Sequence, residues 1–173
     1  MKTLLQVFFV RSLEPFFCPC CHSNERTIIG SRNRRIIESD GNVKVIRIRR
    51  LKCKACKQIH HELPDVVFPY KRHEVKSIEA VLEDAPLLSI PADGATIRRW
   101  KIWFDVLASH LVGVLASVHL QNDRETGKTP IFGTALQRIR FYVGNAPGWL
   151  SRAVQTVVKY NCWVQTRSVY IAK

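Results

Sequence analysis

The sequence predicts an α+β protein, with an N-terminal zinc ribbon followed by a helical part that contains a helix-turn-helix-like unit. Three observations lead there. Two Cys-x-x-C knuckles, Cys18/Cys21 and Cys53/Cys56, stand 31 residues apart. Between them, two runs of branched apolar residues and arginine flank Asp40-Gly41, a strong hairpin-turn signal. From His73 onward the apolar residues recur at helical spacing. The chain has 173 residues, 46% of them hydrophobic, which is enough for a real core. It divides into a ribbon with a short N-terminal strand (1–70), a helix-turn-helix-like unit with a long helix (71–120) and a C-terminal helical segment (121–173).

In chain order, residues 1–17 read as a short strand or amphipathic lead-in. TIIGSRNRRII (27–37) and VKVIRIRRLK (43–52) are the two hairpin strands. HELPDVVFPY (61–70), punctuated by Pro64 and Pro69, is expected to be an extended connector. Val75, Ile78, Val81 and Leu82 share one face of a short helix that Pro86 ends at the latest. After the turn LLSIPADG (87–94), Ile97, Trp100, Phe104, Leu107, Leu111, Val114 and Val118 mark a helix over about 95–120, with Asp93 or Thr96 near its start. Its seam is long enough to hint at helix pairing, a homodimer through 97–118, but at only about three heptads it suits packing in the chain's own core better. The apolar stretch VLASHLVGVLASVHL (106–120) is too short and too polar to span a membrane. QNDRETGKTP (121–130) is a polar linker. TALQRIRFYV (134–143) and PGWLSRAVQTVVKYN (147–161) are two further helices, with Asn145 offering a cap to the second and Cys162 placed as core packing at its end.

MKTLLQVFFVR has only a short apolar run before Arg11, and no small-residue cleavage site follows, so the chain is expected to be cytoplasmic. In a reducing compartment, six cysteines point to metal rather than disulfides. Zn2+ takes four soft donors in a tetrahedron, and a two-residue spacer lets both sulfurs of a knuckle reach one ion. Cys18, Cys21, Cys53 and Cys56 are therefore the expected ligands. Cys20 is the spare, and Cys20, His22, His60 and His61 are the residues able to substitute. A catalytic metal is disfavoured. Four cysteines close the shell, and the HExxH pattern starting at His61 would need histidine where the chain has Asp65.

The formal net charge is +13, which calls for a polyanionic partner, and nucleic acid is the simplest one. Eleven basic residues lie between Arg26 and Lys57 against only Glu38 and Asp40. Arg32, Arg34, Arg35, Arg47, Arg49 and Arg50 of the hairpin, with Lys71 and Arg72 of PYKRH, are the expected phosphate contacts. Arg98, Arg99 and Lys101 project from the start of the long helix, as in a recognition helix. TGKT (126–129) is not a P-loop, since Asn122 stands where its first glycine belongs. The last 48 residues contain no acidic side chain, so they cannot supply the carboxylates that hold metals in nucleases and recombinases.

CPCC, GSRNRRII, RRLKCKACKQIHHELPD, PYKRH and TIRRWKIWF together resemble a family of small uncharacterised bacterial proteins, common in Gram-positive bacteria, that carry CPxC, RRLxCxxC, HHELPD, PYKRH and TIRRW. The plan is also similar to the N-terminal, DNA-binding part of some insertion-sequence transposases. The resemblance implies Cys18, Cys21, Cys53 and Cys56 as zinc ligands, a recognition helix around Ile97–Trp100, and a mobile-element or phage context. The resulting expectation is a non-enzymatic, duplex-DNA-binding zinc protein with no membrane partner, serving a mobile element or transcriptional regulation. Two alternatives stand beside it: an RNA-binding ribbon, and a docking adaptor for a recombinase or polymerase. All four tryptophans mostly fall on apolar helix faces, which favours the duplex over single strands that would stack on exposed aromatics.

Overall fold

A computed structural model describes residues 6–12, 15–86, 90–122, 133–163 and the backbone of 169–172. It is α+β, with five strands in one sheet and four helices: β1 Val7–Phe9, β2 Arg26–Ile37, β3 Val43–Cys53, β4 Ile59–Pro64, α1 Val75–Leu82, α2 Gly94–Asn122, α3 Ala135–Val143, α4 Trp149–Lys159 and β5 Val169–Ala172.

β3 is the spine of the sheet. β2 pairs antiparallel along its whole length, from Arg26 opposite Cys53 to Ile37 opposite Val43. On the other side β1 runs parallel to Val45–Arg47, and β4 runs antiparallel to Arg50–Lys52. β5 adds in parallel to β4, from His61 to Pro64. The two sheet faces have separate cores. Ile36, Ile46, Ile48 and Leu63 share one face and join the helices in the main hydrophobic cluster. On the other face Leu51 and Cys53 pack with Phe16 and Cys18 in a small cluster of their own.

The helices follow the predicted period. Ile97, Trp100, Phe104, Leu107 and Leu111 are buried in the chain's own core, together with Ile78 and Val81 of α1 and Trp149, Leu150 and Val154 of α4. Those five seam residues are thus packed within the chain, Val114 is partly buried against them, and the exposed large apolar residues of α2 are Ile102, Val106 and Leu120. Asp93 caps α2 by accepting a hydrogen bond from the Thr96 N–H at 2.6 Å. Thr134 and Gln137 form a capping box at α3. Glu79 of α1 is buried and accepts the Gly148 and Leu150 N–H groups at 2.6 and 3.0 Å, satisfying donors at the start of α4.

Several local expectations are corrected. Part of the expected connector is strand β4: its inward side chains, His60 and Glu62, are polar, so no apolar alternation announces it, and Pro64 is accommodated at its end. The cap residue of α4 is Gly148 in the left-handed region, not Asn145. α4 ends at Lys159, so Cys162 lies beyond it, and the C-terminal part contributes β5 as well as helices. α2 is 29 residues long and, by length and composition alone, would suffice to cross a membrane. The expectations for residues 1–5 and for the linker at 123–130 lie outside the described residues.

Candidate metal centre and basic surface

The two knuckles share one local geometry. The N–H of Cys18 donates to the carbonyl of Ser23, and the N–H of Cys53 donates to that of Gln58, both at 2.9 Å. The residue after each second cysteine, His22 or Lys57, takes a left-handed conformation, with φ of 59° and 64°. Each turn curls its two sulfurs inward in the same way. The hairpin then sets the knuckles face to face, because β2 begins just after the first and β3 runs into the second.

The sulfurs of Cys18, Cys21, Cys53 and Cys56 all lie within 4.8 Å of one another. The first cysteine of each knuckle approaches the second of the other: Cys18 to Cys56 at 3.5 Å and Cys21 to Cys53 at 3.6 Å. Among the described cysteines none is in a disulfide. Such a cluster fits a tetrahedral thiophilic ion. Burial alone would raise the Cys53 thiol, but the backbone N–H groups of Cys56 and Ala55 and the neighbouring thiols outweigh it and bring the group to about 6. Burial pushes Cys18 the other way, up.

β4 supplies what the sequence reading left secondary. His60 is fully buried, with Nε2 3.3 Å from Cys18 Sγ and its ring 6.0 Å from that of Phe16. Glu62 receives Arg49 through two hydrogen bonds of 2.5 and 2.6 Å and the Ser12 N–H at 3.0 Å. The adjacent HHE contains both residues but not their partners, which come from β3 and from the segment between β1 and β2.

The predicted basic residues fall into two groups. Some are engaged within the protein: Arg49 with Glu62, Arg34 donating to the carbonyls of Phe68 and Lys71, Lys71 over the ring of Trp103 at 4.3 Å, and Lys101 with Asp84 at 2.8 Å. Arg32, Arg35, Arg72, Arg98 and Arg99 are exposed, Arg47 and Arg50 are half-buried, and none of these seven has an acidic ion-pair partner among the described residues. Arg47 donates to Asn33 and lies 5.1 Å over the ring of Phe9, which is 73% exposed. The hairpin turn carrying Gly41 approaches Pro91, just before α2. Backbone bonds between Ile37 and Arg72 and between Glu74 and Ile37 dock the PYKRH segment on the outer edge of β2. Arg72 and the start of α2 thus lie at the end of the sheet away from the knuckles, and Arg35, alternating with Ile36, is exposed there on the face opposite the helices.

Residues 18–100 match the family model of a domain of unknown function (DUF6431). The match opens on the first knuckle cysteine and closes on Trp100, so it takes in the cysteine cluster, β2 to β4, α1 and the first turns of α2. No curated protein and no solved structure matches the chain.

Proposed function

We propose that this is a non-enzymatic nucleic-acid-binding protein in which one structural Zn2+, held by Cys18, Cys21, Cys53 and Cys56, clamps the base of a basic sheet that grips duplex DNA. The observation that carries the reading is the group of arginines without acidic partners at the far end of that sheet. Arg72 and the first turn of α2, where Arg98 and Arg99 are exposed, lie at that end, and exposed Arg35 stands there on the opposite face of the sheet. Phosphates are the ligands that such guanidinium groups complement. A thiolate-bound ion substitutes for the core that the knuckle end lacks, since Phe16 and Leu51 are the only buried apolar side chains clustered with the cysteines among the described residues.

Within this reading α1, the segment 83–93 and α2 act as a helix-turn-helix-like unit with a longer turn than the compact motif. Arg98 and Arg99 would meet the groove, while Lys101, paired with Asp84, would stay on the helix flank. A role beside a recombinase or in transcriptional control fits the same surface.

One observation favours a second reading. Phe9 is exposed beside Arg47, an aromatic and a cation on an open sheet face, and that combination suits stacking of single-stranded bases.

Fluorescence anisotropy of the zinc-loaded protein with a random duplex and with single-stranded RNA, at two salt concentrations, separates the readings. Tighter duplex binding that weakens steeply with salt supports the first. Preference for RNA that is lost in Phe9→Ala supports the second. Weak binding to both rejects nucleic acid as the partner and leaves the docking adaptor.

A further inference from the structure

Four cysteines complete a tetrahedral shell and leave Cys20 and His60 unexplained, yet the fold brings both to the same place. The sulfurs of Cys18 and Cys20 and a ring nitrogen of His60 lie within 4.8 Å of one another. His60 is buried from solvent, and its Nδ1 has no hydrogen-bond partner. Structural histidines are normally held in one tautomer by a bond on each ring nitrogen, and an unpaired buried nitrogen is costly. Nε2, 3.3 Å from Cys18 Sγ, faces the cluster and presents a lone pair to an ion when the ring proton sits on Nδ1. Cys20 Sγ sits 3.8 Å from Oδ1 of Asn161, which arrives from the end of α4. Asn161 is 141 residues away in sequence, so only the tertiary fold assembles this group.

We propose that Cys18, Cys20 and His60 hold a second thiophilic divalent ion, with the Cys18 thiolate bridging it to the first and the Asn161 amide oxygen or a water completing its shell. This rests on the reading of the four-cysteine cluster as a metal centre. The charges favour it. One divalent ion on four thiolates leaves a net charge of −2. A second ion, arriving with the Cys20 thiolate and a neutral imidazole, reduces that to −1. Binding releases the Cys20 proton to solvent, while Cys18 is already deprotonated by the first ion. The second position has three protein donors rather than four and opens beside half-buried Cys20, so it fills after the first and empties before it.

The test is titration of the full-length apoprotein with Co2+, followed by thiolate-to-metal charge-transfer absorbance and by native mass spectrometry. The wild type is expected to take two ions, the second adding charge-transfer intensity, while Cys20→Ser and His60→Gln each take one. Cys20→Ser alters a half-buried side chain and keeps the test valid should His60→Gln fail to fold. Saturation of the wild type at one ion overturns the proposal and leaves His60 as a hydrogen-bond donor to Cys18. Two ions retained by a folded variant overturn it as well. A wild type that takes no ion overturns both this site and the four-cysteine centre, which keeps the two failures distinct.

Discussion

Cys20 and Cys21 are adjacent and have opposite expected fates on substitution. Cys21→Ser removes a sulfur 3.6 Å from Cys53 and is expected to abolish retention of the first ion and unfold the knuckle end, read as zinc remaining after a chelator challenge and as lost thermal cooperativity. Cys20→Ser is expected to leave that first ion in place under the same challenge. Glu62 makes the second residue-scale case. It is 1% exposed and holds the Arg49 guanidinium and the Ser12 N–H, so Glu62→Ala removes a buried ion pair and is expected to cost about 3 kcal/mol in urea unfolding. A loss below about 1 kcal/mol would show that solvent compensates Arg49 freely. The sequence made Arg49 look like a phosphate contact because its partner lies on another strand, and no local pattern connects a strand to its neighbour's side chains.

Among the elements, β2 is an edge strand whose first eight residues are exposed on both faces. Its arginines and the register shift between Ile28 and Gly30, where Gly30 has a φ of +137°, also blunt an edge that would otherwise invite another strand. The hairpin and α1 to α4 were legible because each carries its own period or turn signal. β4 was not, since two of the three side chains it buries, His60 and Glu62, are polar. The turn into α2 holds a pH-sensitive contact. His73 packs edge-on against Trp100 at 4.8 Å and bonds the Pro91 carbonyl at 3.1 Å. Burial lowers its pKa from the ordinary 6.5, with the Pro91 carbonyl and Asp93 pulling only partly back. The unfolded chain then takes up the proton first. The contribution of His73 is whole above that ordinary value and is lost as pH falls from there through the lowered folded value. Urea unfolding at steps between about pH 7.5 and pH 5 is expected to show a shallower acid decline for His73→Gln than for the wild type. Parallel curves would exclude His73 as a source of that decline.

For the whole molecule the question is which cations face outward together. Replacing Arg35 and Arg47 by Ala is expected to weaken binding to all duplex sequences alike and to lower the salt slope by about 2, roughly one per phosphate contact. Replacing Arg98 and Arg99 is expected to erode discrimination between sequences instead. An unchanged slope in the first pair, with unchanged affinity in both, would remove the sheet end and the start of α2 as the binding surface. Arg34 and Arg49 serve as controls, since their loss should register in stability before affinity.

The pairing of Cys18 with Cys21 and of Cys53 with Cys56 in two knuckles, the hairpin across Asp40-Gly41 and the helical period from His73 were determined by the sequence alone. Each depends on residue spacings of a few positions, which covalent geometry and local backbone preference convert directly into structure. Other features belong to the tertiary structure. It crossed the knuckles so that Cys18 meets Cys56, and it brought His60 and Asn161 to Cys18 and Cys20. It also spent Arg34 and Arg49 inside while leaving Arg35, Arg72, Arg98 and Arg99 outside. The physical reason is that burial and hydrogen-bond satisfaction are settled between strands and helices far apart in the chain, where spacing carries no information.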